Sequence, residues 1–152
     1  MQRKFRRHMY TDAQYSFRKG FEEYSDVPMK FIKNGEESPI GKLPVFHLIE
    51  EEVEYDLLSK QRETVVVAVT YKVELFASNM LELKEMQGAI TEYVLFGEIP
   101  YIHHKTGEEV GRLDVSPTLM GMEYLKDTNR ESDHYRKQFY IRAEIVLHKN
   151  TK

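Results

Sequence analysis

The fifteen residues from Glu63 to Ala77, ETVVVAVTYKVELFA, contain neither glycine nor proline and have strand character throughout. Strands in soluble domains usually run about five or six residues. At about 3.3 Å per residue, fifteen would reach about 50 Å. A chain of 152 residues does not need a core that long. The strand therefore either bends around the core or carries one end past it to meet something else.

A chain of this length suits a single domain, since domains take about 100–200 residues. Hydrophobic residues make up 41% of it, enough for a real core, so a disordered chain is excluded. A net charge of −3 fits neither a generally basic nucleic-acid binder nor an acidic tail. The absence of cysteine excludes a disulfide framework and thiolate metal sites. No apolar run approaches the roughly 18 residues of a membrane span. The basic start, MQRKFRRHMYTDAQ, is not followed by the apolar stretch of a secretory signal. No membrane association is expected, and the expected setting is a cytoplasm, or release from one by lysis.

Periodicity organises the rest. Residues 1–10 read as a basic flexible arm, and residues 11–152 as one domain. Thr11 and Gln14 have the spacing of a capping box, predicting a helix from Asp12 to Tyr24 with Phe17, Phe21 and Tyr24 as its buried stripe. Gly20 weakens that helix. A short strand is expected at Met29–Lys33, a longer one from Val45 to Leu58, then the long strand. Ser78 or Asn79 caps a second helix, with Leu83, Met86, Ile90 and Val94 inward and Gly97 at its end. A hairpin turning near Thr106–Gly107 follows, then two strands around a polar turn at 127–132. Neighbouring strands joined by short turns pair antiparallel. The predicted fold class is α+β: one twisted antiparallel sheet with its helices packed on one face.

Period-two alternation assigns faces. Phe139, Ile141, Ala143, Ile145 and Leu147 share one face of the last strand with Tyr135; Val65, Val67, Val69, Tyr71, Val73 and Leu75 share one face of the long strand. The strand from Val45 places Val45, Ile49, Val53, Tyr55 and Leu57 on one side, and Glu50, Glu52, Glu54 and Asp56 in an unbroken row on the other. Carboxylates spaced about 7 Å apart repel one another. They require cationic neighbours, for which Lys72, Arg136 and Arg142 are the candidates, or a surface meant to stay negative.

Recognisable catalytic chemistry is missing. GEESPIGKL has five residues between its glycines where a phosphate-binding loop needs four, and Leu43 stands where that loop needs Ser or Thr. His103 and His104 are adjacent in a predicted strand, so they are expected on opposite faces and unable to share a metal. Asp133 and His134 flank a predicted turn, and no motif places a nucleophile near them. No enzyme activity, cofactor or metal is expected. The basic arm, Arg3, Lys4, Arg6 and Arg7, is either a solvated tail or a segment that orders on an acidic partner.

The layout as a whole resembles the tail terminator, or tail-completion and head–tail joining, proteins of long-tailed bacteriophages. The likeness lies in the opening helix TDAQYSFRKGFEEY and the proline-marked crossing into PVFHLIEEEVEYD. It continues in the long strand ETVVVAVTYKVELFASN, which runs straight into a helix, and in the closing strands within RLDVSPTLMGMEYLKDTNRESDHYRKQFYIRAEIVLHK. It covers residues 11–149. The resemblance implies a structural virion protein with no catalytic residues. Six copies would form a ring on the last ring of tail tube protein, end its polymerisation and meet the head connector. DNA would pass through without specific binding.

In such a ring the functional positions are interfaces or channel walls. The candidates are Glu50, Glu52, Glu54, Asp56, Lys72, Glu74, Arg136 and Arg142, with Arg3, Lys4, Arg6 and Arg7 as a partner-binding arm. Six copies at −3 each would carry about −18, a field that repels duplex DNA. The alternatives are another neck or head-completion ring of the virion, and a small monomeric ligand- or nucleic-acid-binding module.

Overall fold

A computed structural model describes residues 3–25, 30–32, 45–57, 63–117, 123–125 and 136–149. The stretch GEESPIGKL, the polar turn at 127–132, the Asp133–His134 pair and Tyr135 lie outside these residues.

The elements in order are a 3-10 helix at Arg3–His8, α1 at Met9–Tyr24, β1 at Lys30–Ile32, β2 at Val45–Leu57, β3 at Thr64–Phe76, α2 at Met80–Phe96, β4 at Ile99–Ile102, β5 at Glu109–Pro117, β6 at Glu123–Leu125 and β7 at Arg136–His148. The strands form one sheet in the order β1-β2-β3-β7-β5-β4, with β6 also on β7. This is an α+β domain. The long strand lies at its centre, antiparallel to β2 on one side and β7 on the other. One pairing departs from the all-antiparallel expectation: β1 runs parallel to β2. A parallel pair needs a crossover of about a dozen residues or more, and the long connector between these strands supplies that length.

Both helices pack on the same face of the sheet. The core joins Ala13, Phe17 and Phe21 of α1 and Leu83, Met86, Ile90 and Tyr93 of α2 to the odd-numbered residues of β3 and β7. The odd-in pattern predicted for those two strands holds at Val67, Val69, Tyr71, Val73, Leu75, Phe139, Ile141, Ala143 and Ile145, all buried. Asn79 is the cap of α2: its side chain accepts the Glu82 N–H at 2.8 Å, while the Glu82 carboxylate accepts from the Ser78 N–H. The helix ends before Gly97, whose N–H donates to the Tyr93 carbonyl.

The start of the chain corrects two expectations. The helix α1 begins at Met9 rather than Asp12, no side chain caps it, and Thr11 is exposed. The 3-10 turn leads straight into it, so its first N–H groups do not need a Thr11 cap. Gln14 instead donates to the Leu48 carbonyl at 3.2 Å. Residues 3–10 are also not a free arm: Phe5 is buried, with its ring 4.9 Å from that of His103. Tyr24, expected in the buried stripe, is exposed.

Gly20 lies where Tyr93 of α2 packs against α1, among Phe17, Phe21 and Tyr24. A Cβ there would lie 2.3 Å from the Tyr93 hydroxyl, which donates to the Phe17 carbonyl at 3.2 Å. The residue that weakens α1 by propensity is the notch that seats Tyr93.

Strand length answers the question raised by the central run. The strands β2, β3 and β7 have thirteen residues each, about 43 Å, whereas the seventeen residues of α2 span only about 26 Å. The sheet outruns its helix. At the far end of the β2–β3 hairpin, where Glu54 to Leu57 are all exposed, the 3-10 segment and the start of α1 are the helical parts in contact.

Candidate functional site

A bulge in β2 rearranges the acidic row. Glu50 pairs with Tyr71 and Glu52 with Thr70, so Glu51 is one residue too many for the ladder. An extra residue flips the alternation beyond it. Before the bulge the even-numbered Phe46 and Leu48 face the core and Val45 and Ile49 the other side, with Val45 buried against Phe76; after it, the odd-numbered Val53, Tyr55 and Leu57 lie opposite Val69, Val67 and Val65 of the core face. The expected unbroken row of Glu50, Glu52, Glu54 and Asp56 is therefore divided. Glu52, Glu54 and Asp56 lie on the outer face. Glu50 lies on the helix-bearing face, where its charge acts on Tyr10 and Tyr71. Nothing in the sequence of this strand marks the bulge, because the whole stretch from Glu50 to Asp56 is polar or strand-forming.

On the outer face the predicted cations find acids within the same chain. Lys72 lies 3.4 Å from Glu51 and 3.2 Å from Glu74. Arg136 reaches Glu74 at 2.6 Å and lies over the Phe76 ring. Arg142 bridges Glu54 at 3.1 Å and Glu144 at 3.3 Å. Glu74 is buried, so its two cations compensate a desolvated carboxylate. Burial disfavours the Lys72 ammonium, but the bond to Glu74 and the charge of Glu51 outweigh it and hold its pKa above the usual lysine value. Among the described residues Glu52 and Asp56 have no ion pair. The face is therefore balanced near the middle of the sheet and negative toward the hairpin end.

The opposite face of that end differs in kind. A cleft of about 330 Å³ lies between the N-terminal segment and the hairpin, with Tyr55, Val65, Val67 and Leu147 as its apolar floor and Arg6, His148 and Lys149 among its lining residues. Arg6 donates to the carbonyls of His148 and Lys149. Tyr10 and Tyr55 share a hydrogen bond at 3.0 Å between their hydroxyls, bracing α1 to the hairpin. Burial, with help from Tyr55, pushes the Tyr10 phenol up to about 12. Tyr55 and Leu57 are nevertheless 64% and 50% exposed, large apolar surface at the tip of a projecting element. Of the predicted arm residues, Arg6 contributes to this cleft, Lys4 and Arg7 are exposed, and Arg3 opens the 3-10 turn.

A second constellation escaped sequence reasoning. His103 and His104 do not point apart. The strand β4 ends at Ile102, and the chain turns at once, with Gly107 at φ 74° donating its N–H to the His103 carbonyl. Outside the pleat, adjacent side chains can converge, and these two meet on Asp12 of α1. The Asp12 carboxylate is fully buried. One oxygen faces His103 Nδ1 at 3.0 Å, and the other faces His104 Nδ1 at 2.6 Å and the His104 backbone N–H at 3.0 Å. An ionised carboxylate can only accept, so in this state both Nδ1 atoms carry the proton. Burial works to raise the Asp12 carboxyl, but these three donors prevail and hold it below the usual carboxylate range. The His8 ring lies 5.0 Å from that of His103 and 5.4 Å from that of His104. Ninety-one residues separate Asp12 from His103, and no motif joins them.

Among the described residues no helix is long and apolar enough to cross a membrane. Comparison with known proteins found no family model that matches the chain and no curated protein significantly similar to it.

Proposed function

We propose that this chain is the subunit of a ring that closes a bacteriophage tail. Six copies would seat on the last ring of tail tube protein, stop its growth and present the surface that meets the head connector, with DNA passing through the hole. The order of elements that resembles tail terminators supports this reading. One observation carries it further: the β2–β3 hairpin runs past α2 and has two unlike faces, acidic outside at Glu52, Glu54 and Asp56, apolar and edged by Arg6 and Lys149 inside. A closed ring needs two different, complementary patches on each subunit. Patches on opposite faces of one projecting element meet when subunits stack side by side around an axis. Each acidic outer face would then lie against the basic-rimmed cleft of its neighbour, covering Tyr55 and Leu57.

The cleft also favours a second reading, a monomeric ligand-binding module, since its volume is at the small end of the 300–1,000 Å³ typical of ligand pockets. Electron microscopy of particles made without the protein separates the two. Tails of uncontrolled length, or tails that fail to join filled heads, are expected of a terminator. Normal-length tails on filled heads would sink the ring assignment and promote the binding module.

A further inference from the structure

We propose that Asp12, His103 and His104 form a binding site for one first-row transition-metal ion of the Zn²⁺ class, with His8 at its open side. The inference does not rest on the ring assignment. One donor atom from each of Asp12, His103 and His104 lies within 4.8 Å of the others. A tetrahedral ion with bonds of about 2.0–2.1 Å sets its donors about 3.4 Å apart, between the shortest and longest of these spacings. The two oxygen–nitrogen distances, 3.0 Å and 2.6 Å, are those of hydrogen bonds. An ion entering between the carboxylate and the rings displaces both Nδ1 protons. Each imidazole keeps its neutrality by carrying its proton on Nε2 instead, and the donors part by a few tenths of an ångström.

The set of donors selects the ion. Two imidazoles and one carboxylate suit zinc, cobalt or nickel, whereas magnesium and calcium take oxygen ligands. The surroundings suit an ion that is structural rather than catalytic. Asp12 is fully buried and His103 nearly so, Phe5 packs against His103, and His104 is the more exposed of the two histidines. His8 Nε2, now accepting from Arg7 at 3.2 Å, is placed to turn inward as a fourth ligand; otherwise water fills that position. The ion would tie α1, and through His8 the adjoining 3-10 segment, to the turn after β4, two pieces of chain that are distant in sequence.

The test uses the full chain carrying no histidine tag, stripped with chelator and then given ZnCl₂ or CoCl₂ alone. The expected results are one zinc per chain by equilibrium dialysis with elemental analysis, and visible d–d absorption of the cobalt form with the intensity of a four-coordinate site. The melting temperature should also rise on adding zinc. Asp12→Asn tests the buried ligand but endangers the fold, so His104→Gln, at a half-exposed position, is the second variant. It is expected to stay folded and to bind zinc more than tenfold more weakly. Less than a tenth of an equivalent of zinc on the wild type would overturn the proposal. So would unchanged affinity in His104→Gln, which would place the ion elsewhere on the surface.

Discussion

The contact of Gly20 with Tyr93 sets two preferences against each other at a single position. Alanine is favoured over glycine inside a helix by about 1 kcal/mol. At Gly20 its methyl would sit 2.3 Å from a buried hydroxyl, and overpacking of that kind costs about 1–3 kcal/mol. Gly20→Ala is therefore expected to destabilise the fold in urea unfolding. In a Tyr93→Phe background, where the obstructing oxygen is gone, the same change should be neutral or stabilising. Equal penalties in both backgrounds would show that the notch is not the cause. His47 presents a titration at the same scale. It lies on the outer face of β2 opposite Glu74, with Lys72 and Arg136 nearby. Burial lowers its pKa below 6.5, and those two cations add to the effect against the pull of Glu74. The unfolded chain thus takes up the proton first as pH falls. The stability this residue permits is present above about pH 6.5 and is lost as pH drops from there through the folded-state value. Relative to His47→Gln, the wild type should lose stability as pH falls below about 6.5. Parallel stability curves would remove His47 from the account.

Among the elements, the segment before α1 changes meaning most. Its four cations suggest a tail, but Phe5 between them is buried against His103, and Arg6 ties the segment to the end of β7. A buried phenylalanine truncated to alanine costs about 3–5 kcal/mol in a full core. At this margin of the core about 3 kcal/mol is reasonable, which in a domain of this size corresponds to roughly 6–12 °C in melting temperature. Deleting residues 2–8 should lower the melting temperature by that order, measured by circular dichroism in chelator so that metal plays no part. An unchanged melting temperature would return these residues to the status of an independent arm.

At the scale of the whole molecule, the useful charges are those that the chain leaves unpaired. Arg142 and Lys72 already have partners in the same sheet, so altering them confuses folding with assembly. Glu52 and Asp56 are exposed and have no ion pair among the described residues, and surface changes of this kind stay within about 0.5 kcal/mol. The double variant Glu52→Lys, Asp56→Lys is expected to fold and melt like the wild type. In the proposed ring it sets lysines against Arg6 and Lys149 of the neighbour, where like charges brought together cost several kcal/mol. Supplied to phage lacking the wild-type protein, it should fail to restore tails of normal length joined to heads. Full restoration would remove the acidic outer face from the interface.

What the sequence determined by itself is what depends on local periodicity. Alternation along Val65–Leu75 and Phe139–Leu147 set the buried face of each strand, and the three- and four-residue spacing of Leu83, Met86, Ile90 and Val94 set the face of α2. Those patterns follow from the geometry of one element and a single apolar core, so no knowledge of neighbours is needed to see them. Tertiary structure alone decided the rest. The bulge at Glu51 depends on the register with β3, and it moves Glu50 to the opposite face from Glu52. The parallel pairing of β1 depends on where a long connector brings the chain back. The meeting of Asp12 with His103 and His104 depends on a turn that breaks the pleat and on a helix packed across it, from the far end of the chain. Each is a relation between residues distant in sequence, and local pattern carries no record of such a relation.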